Sequence, residues 1–152
     1  MANTSYFLEI EEKYRKKLSS KSEYKGCEVL KEKVPLSNWG NCGFFECDVV
    51  IKKEGKIIEV QCLSCSEYKT KNGKAGSGKL LKIKADALML SGVKCKKKAL
   101  IFLGKTMYEK IKKEQQGGRF PKDIELKLIT CNKDELREIE KIREDCSSEM
   151  IK

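Results

Sequence analysis

Apolar and polar positions along this chain follow two rhythms, one of helices and one of strands. Over residues 5–18, Tyr6, Ile10 and Tyr14 recur at helical spacing with Glu9, Glu12 and Lys13 between them, which predicts a helix capped by Asn3 or Thr4. Residues 19–43 break the rhythm with Gly26, Pro35, Asn38, Gly40 and Gly43, leaving room for one short strand over 27–33. Two apolar runs, 44–51 and 56–63, flank Lys52-Lys53-Glu54-Gly55 and predict a β-hairpin. A polar, glycine-spotted loop over 64–78 follows. Residues 79–90 then have helical spacing with apolar positions on more than one face, closed by Gly92. The pattern ends with a strand over 98–103, an amphipathic helix over Lys105–Gln116, a strand over 124–130 and a charged helix over 133–145.

Strands alternating with helices in this order predict an α/β protein with a mixed central β-sheet flanked by helices. The 152 residues, 39% of them hydrophobic, suffice for one substantial core, so a single domain over 1–152 is expected. No run approaches the roughly 18 apolar residues of a membrane span, and the first residues lack a basic-then-apolar leader; the expectation is a cytoplasmic protein with no membrane association. In a reducing compartment the eight cysteines read as small buried apolar residues rather than disulfide partners.

Charge adds a partner. The formal net charge of +10 is concentrated between Lys69 and Lys98, where ten lysines meet one acid, Asp86. Such clustering suits a polyanion, and Lys69, Lys71, Lys74, Lys79, Lys82 and Lys84 are the candidate phosphate contacts to DNA. Lys82 and Asp86, four apart, also fit a simple surface pair. Arginine occurs only at 15, 119, 137 and 143, so guanidinium reading of guanine is scarce and structure-selective binding is as well supported as a strict recognition sequence.

The absence of histidine removes Ser-His-Asp and Cys-His hydrolysis, His-ligated zinc deamination and histidine-dependent nuclease chemistry. What remains is carboxylate, amide, lysine, thiol or metal. Side chains alternate along a strand, so Glu46 and Asp48 share one face of the first hairpin strand, and Glu59 and Gln61 one face of the second. Carboxylates crowded among Phe, Val and Ile repel one another unless a cation intervenes, and all-oxygen ligation suits Mg2+, with Mn2+ as a substitute. The plainer alternative is a half-exposed hairpin whose outer face happens to be polar. Cys62-Leu-Ser-Cys65 has the spacing of half a zinc knuckle, with Cys42 and Cys47 as the remaining candidates.

Asp48 on one strand, followed by Glu59-Val60-Gln61 on the next, resembles the PD-(D/E)xK nuclease superfamily of restriction enzymes and Holliday-junction resolvases over residues 5–104. The resemblance implies a restriction endonuclease-like αβββαβ core, here with a C-terminal strand-helix extension. It further implies a metal-dependent DNA endonuclease, with Asp48, Glu59 and the Val60 carbonyl as metal ligands and a first-helix acid, Glu12 or Glu9, joining them. Cys47 stands where that motif usually has proline, and Gln61 where it has lysine. An amide orients water but is no base at neutral pH, so Lys79 or Lys82 from the following helix would have to supply the missing amine, or a metal-bound hydroxide act unaided. Cutting two strands calls for two sites, so a homodimer is expected, with Lys105–Gln116 as one candidate surface. The rival readings are a non-catalytic nucleic-acid-binding module in which Gln61 marks a dead site, and a protein-interaction domain that leaves the lysine cluster idle.

Overall fold

The computed structural model describes residues 5–37, 43–69 and 76–129. The elements run α1 (Ser5–Ser19), a 3-10 turn (Ser22–Tyr24), β1 (Glu28–Pro35), β2 (Phe44–Lys53), β3 (Lys56–Ser64), α2 (Ser77–Ser91), β4 (Lys97–Phe102), α3 (Lys105–Gln116) and β5 (Ile124–Leu128). Among the described residues the protein is thus α/β, with five strands in the order β1-β2-β3-β4-β5 and three helices around them. β1, β2 and β3 form an antiparallel meander, while β3-β4 and β4-β5 are parallel and are joined through α2 and α3.

Each face of the sheet has its own core. On one side, Tyr14 and Leu18 of α1 pack with Tyr24 on Val49, Ile51, Ala99 and Ile101. On the other, Ile83, Ala87 and Leu90 of α2 and Met107 and Ile111 of α3 pack on Val50, Val60, Cys62, Leu100 and Phe102. The spacings 83-87-90 and 107-111 are those that put residues on one helical face. Residues 98–102 are all buried, as expected of a central strand covered on both sides. The apolar side of α3, Met107 and Ile111, is spent on this core, so a contact through Lys105–Gln116 would use the helix's remaining, largely polar side.

The hairpin turns on Glu54 and Gly55, with φ of 53° and 79°. Two consecutive residues with positive φ twist the chain the way paired strands require. The irregular stretch before it holds more order than its glycines suggested, since β1 extends through Pro35, a residue tolerated on the sheet's edge. The helix expected over 133–145 lies outside the described residues. No helix among the described residues is long and apolar enough to cross a membrane.

Candidate functional site

The meander comes apart at one point. β2 pairs with β3 only as far as Val49 and Gln61; beyond that β2 stays with β1 and β3 with β4. On β1, Leu30 faces Val50 and Glu32 faces Cys47, so β2 carries an extra residue at Asp48-Val49. This β-bulge bends the strand and re-aims its side chains. Cys47 and Val50 therefore enter the α2/α3 core while Val49 enters the α1 core. Asp48 is the first residue past the last β2-β3 pair, and its Oδ2 accepts the Leu63 N–H at 2.8 Å. A side chain takes the place of a ladder carbonyl in the fork between two strands.

Helix α1 closes over this fork. Arg15 Nη1 donates to the Asp48 carbonyl oxygen at 2.9 Å, tying the helix to the bulge. Glu11, one turn earlier, holds Lys31 Nζ at 3.4 Å, and the same amine lies 3.6 Å from Glu46. Three carboxylates and two cations thus surround the fork. Burial raises the Asp48 carboxyl above its usual range despite the Leu63 hydrogen bond, and burial followed by the Asp48 charge raises Glu11. Burial pulls the Lys31 amine down, but Glu11 outweighs it and the net direction is upward. Glu11 is thus the helix acid brought to Asp48. Glu12 points to solvent and pairs with Lys16 at 3.5 Å, and Glu9 is exposed.

Glu59 and Gln61 form a second, buried group on the same face. Tyr24 donates its hydroxyl to Glu59 Oε2 at 2.9 Å, Gln61 Nε2 donates to the same oxygen, and Tyr14 donates to Gln61 Oε1 at 2.8 Å. Glu59 is 4% exposed and Gln61 is fully buried. Burial, and then the Glu59 charge, push the Tyr14 phenol up to about 12; burial and the bond to Glu59 push Tyr24 up as well. Both phenols stay protonated as donors. Sequence periodicity had brought Glu46, Asp48, Glu59 and Gln61 together as four convergent groups. The structure separates Glu59 from Asp48, because Glu59 pairs with Ile51, three residues from Asp48 and about 10 Å along the strand at roughly 3.3 Å per residue. Gln61, opposite Val49, lies between them with its side chain held by Tyr14 and Glu59.

The remaining candidates scatter. α2 packs on the opposite face of the sheet from Glu59 and Gln61, so Lys79 and Lys82 do not reach them. Lys82 acts on Asp86, four residues on, whose carboxyl is raised because burial, joined by the Asp48 charge, outweighs that lysine. Lys84 lies 3.6 Å from Glu114 of α3. Lys69 is exposed at the end of the described β3 loop, while Lys71 and Lys74 lie outside the described residues. Cys62 packs in the α2/α3 core and Cys65 beside Ile10 and Leu103 on the other side, so the CxxC pair does not converge; Cys42 is outside the described residues. Cys62 is instead the neighbour of Cys47, whose hydrogen bond, with burial, raises the Cys62 thiol.

Among the described residues no group of three or more His, Cys, Asp or Glu gathers closely enough to hold an ion. The Asp48 and Glu59 carboxylates are each engaged by their own donors, and Val60 sits within the ladder between Val50 and Lys98. The residues that periodicity alone overlooked are Glu11, Arg15, Tyr14, Tyr24 and Lys31. Glu11 was signalled by its place between Ile10 and Tyr14 on the buried side of α1. Neither protein-family models, curated proteins nor solved structures give a match to this chain.

Proposed function

We propose that this chain is a metal-dependent DNA endonuclease of the PD-(D/E)xK type, with its catalytic centre at the Asp48 fork. The observation that carries the reading is the placement of Asp48. It lies just past the last pair of a β2-β3 hairpin, beneath a first helix that contributes Glu11, in a chain whose elements run α-β-β-β-α-β with an antiparallel meander and a parallel crossover. That order is the one expected for a restriction endonuclease-like core. The net charge of +10 supplies the attraction for a polyanion.

Mg2+ or Mn2+ would supply the Lewis acid and the activated water of phosphodiester hydrolysis. On the protein side, Asp48 and Glu11 hold negative charge at the fork and Arg15 fixes the backbone that presents Asp48. Glu59 and Gln61 are the further expected groups, and in the described arrangement they are held by Tyr24 and Tyr14. DNA cleavage on both strands carries with it a homodimer.

A second reading is favoured by the burial of Glu59 and Gln61: a nucleic-acid-binding module of the same architecture with no hydrolytic activity. The two part at Asp48. Purified protein is incubated with plasmid, hairpin and four-way-junction DNA in Mg2+ or Mn2+, then in EDTA. Nicking that needs the metal and falls by more than about 10²-fold in Asp48→Ala supports the nuclease. Salt-sensitive DNA retention with no cleavage, the same in wild type and Asp48→Ala, supports the binding module.

A further inference from the structure

Glu59 faces a cleft that opens at the opposite end of β3 from the Asp48 fork. The cleft, about 680 Å³, lies where β3 and β4 begin, and Tyr24, Ile57, Glu59, Lys94, Lys96 and Lys97 are among its walls. Its volume is within the range of about 300–1,000 Å³ typical of small-molecule sites.

Its chemistry is two-sided. Both donors to Glu59, Tyr24 and Gln61, go to Oε2, so Oε1 receives no protein hydrogen bond among the described residues. Lys94, Lys96 and Lys97 are exposed, and none has an acidic partner within ion-pair distance among the described residues. The next lysine, Lys98, is different: it is buried and donates to the Ser91 carbonyl at the end of α2. A bare anion would meet the lysines but also the Glu59 carboxylate and, at the rim, the exposed Glu23, and a bare cation the reverse. The ligand that fits carries an anionic end for the lysines, an apolar body for Ile57, Ile58 and the accessible edge of Tyr24, which is 5% exposed, and an N–H donor for Glu59 Oε1.

We propose that this cleft binds a nucleotide, with its phosphate among Lys94, Lys96 and Lys97, its base against Tyr24 and Ile57, and an exocyclic amino group donating to Glu59. The nucleotide is either free or an unpaired unit of a strand, since both present the same groups. The site does not depend on hydrolysis at Asp48: a chain that binds nucleotide here and cuts no DNA supports this assignment and overturns the nuclease.

Isothermal titration of the full chain with CMP, UMP and inorganic phosphate tests it. CMP and UMP differ in an amino donor against a carbonyl acceptor on the ring, so CMP is expected to bind about tenfold more tightly, the size of one hydrogen bond to a charged group. Lys96→Ala/Lys97→Ala, at exposed rim positions, is expected to weaken CMP at least tenfold with the fold intact by circular dichroism. Glu59→Gln is expected to erase the CMP preference. A single-stranded oligonucleotide that displaces CMP assigns the ligand to a strand, and one that does not assigns it to the free nucleotide. No saturation by either nucleotide up to millimolar concentration, or inorganic phosphate binding as tightly as CMP, overturns the proposal.

Discussion

Arg15 and Asp48 meet through backbone as well as charge: the guanidinium donates to the Asp48 carbonyl oxygen at 2.9 Å, while the Asp48 carboxylate takes the Leu63 amide. The arginine therefore positions the acid, and its charge holds the carboxyl lower than burial alone would. Replacing Arg15 by Lys keeps the charge but loses the planar fork of donors. Arg15→Lys should lower any Asp48-dependent activity with little change in global stability, checked by nicking rates beside urea denaturation.

Glu11 and Glu12 are neighbours in sequence with opposite surroundings, one inside the fork and one paired to Lys16 in solvent. Glu12→Ala should leave both DNA cleavage and stability within about 0.5 kcal/mol of wild type, as for surface substitutions generally. Glu11→Gln should reduce cleavage. Equal loss of cleavage in both variants would remove Glu11 from the site.

The raised Asp48 carboxyl means that the folded chain binds that proton more readily than the unfolded chain, so at neutral pH the charge costs stability, and stability is recovered as pH falls through the folded value. Asp48→Asn should stabilise the protein at pH 7 by on the order of 0.5–1 kcal/mol while abolishing nicking. The gain should shrink in urea titrations as pH is lowered, because wild-type Asp48 takes up its own proton on passing through its raised folded value.

On the alkaline side the sign is the same, with stability again falling as pH rises. Tyr14, pushed up to about 12, and Tyr24, also raised, contribute stability that is fully present below the ordinary phenol value near 10 and is lost as pH climbs toward the folded values. Unfolding midpoints should fall between pH 10 and 12, and Tyr14→Phe should flatten that fall. Tyr24→Phe should cost about 1.5–3 kcal/mol at pH 8, since it removes a hydrogen bond to a buried carboxylate.

Gly104 precedes α3 and sits against the Glu67 carboxylate and the Ser66 carbonyl, where a Cβ would overlap both. The Ser66 carbonyl is backbone and cannot swing away as a side chain would. Gly104→Ala should therefore destabilise by about 1–3 kcal/mol, as overpacking does, read as a lower melting temperature.

Much of this architecture was legible in the periodicities. α3 is found at Lys105–Gln116 as expected, the β2-β3 hairpin turns at Glu54-Gly55, and α2 ends at Gly92. The site was only partly legible. Strict alternation assigns Glu46 and Asp48 to one face and aligns them with Glu59, but one extra residue in β2 shifts the phase, and a bulge leaves no mark in a run of Phe, Cys, Asp and Val. The tyrosines that hold Glu59 and Gln61 come from α1 and from the 3-10 turn after it, and contacts across such sequence separations have no periodic signature. The lysines of α2 were aimed at the site because they follow it in sequence, whereas the crossover from β3 to β4 carries them to the other side of the sheet.

The two-residue reversal at Glu54-Gly55 also bears on how the chain reaches its native state. β2 and β3 find each other across two residues, whereas β3 and β4 must close a loop spanning the whole of α2 before their parallel bonds can form. Local pairing of this kind precedes distant pairing in time. The hairpin is thus the pairing with the shortest loop to close, and the Asp48 fork marks where that local pairing gives way to the distant one with β4.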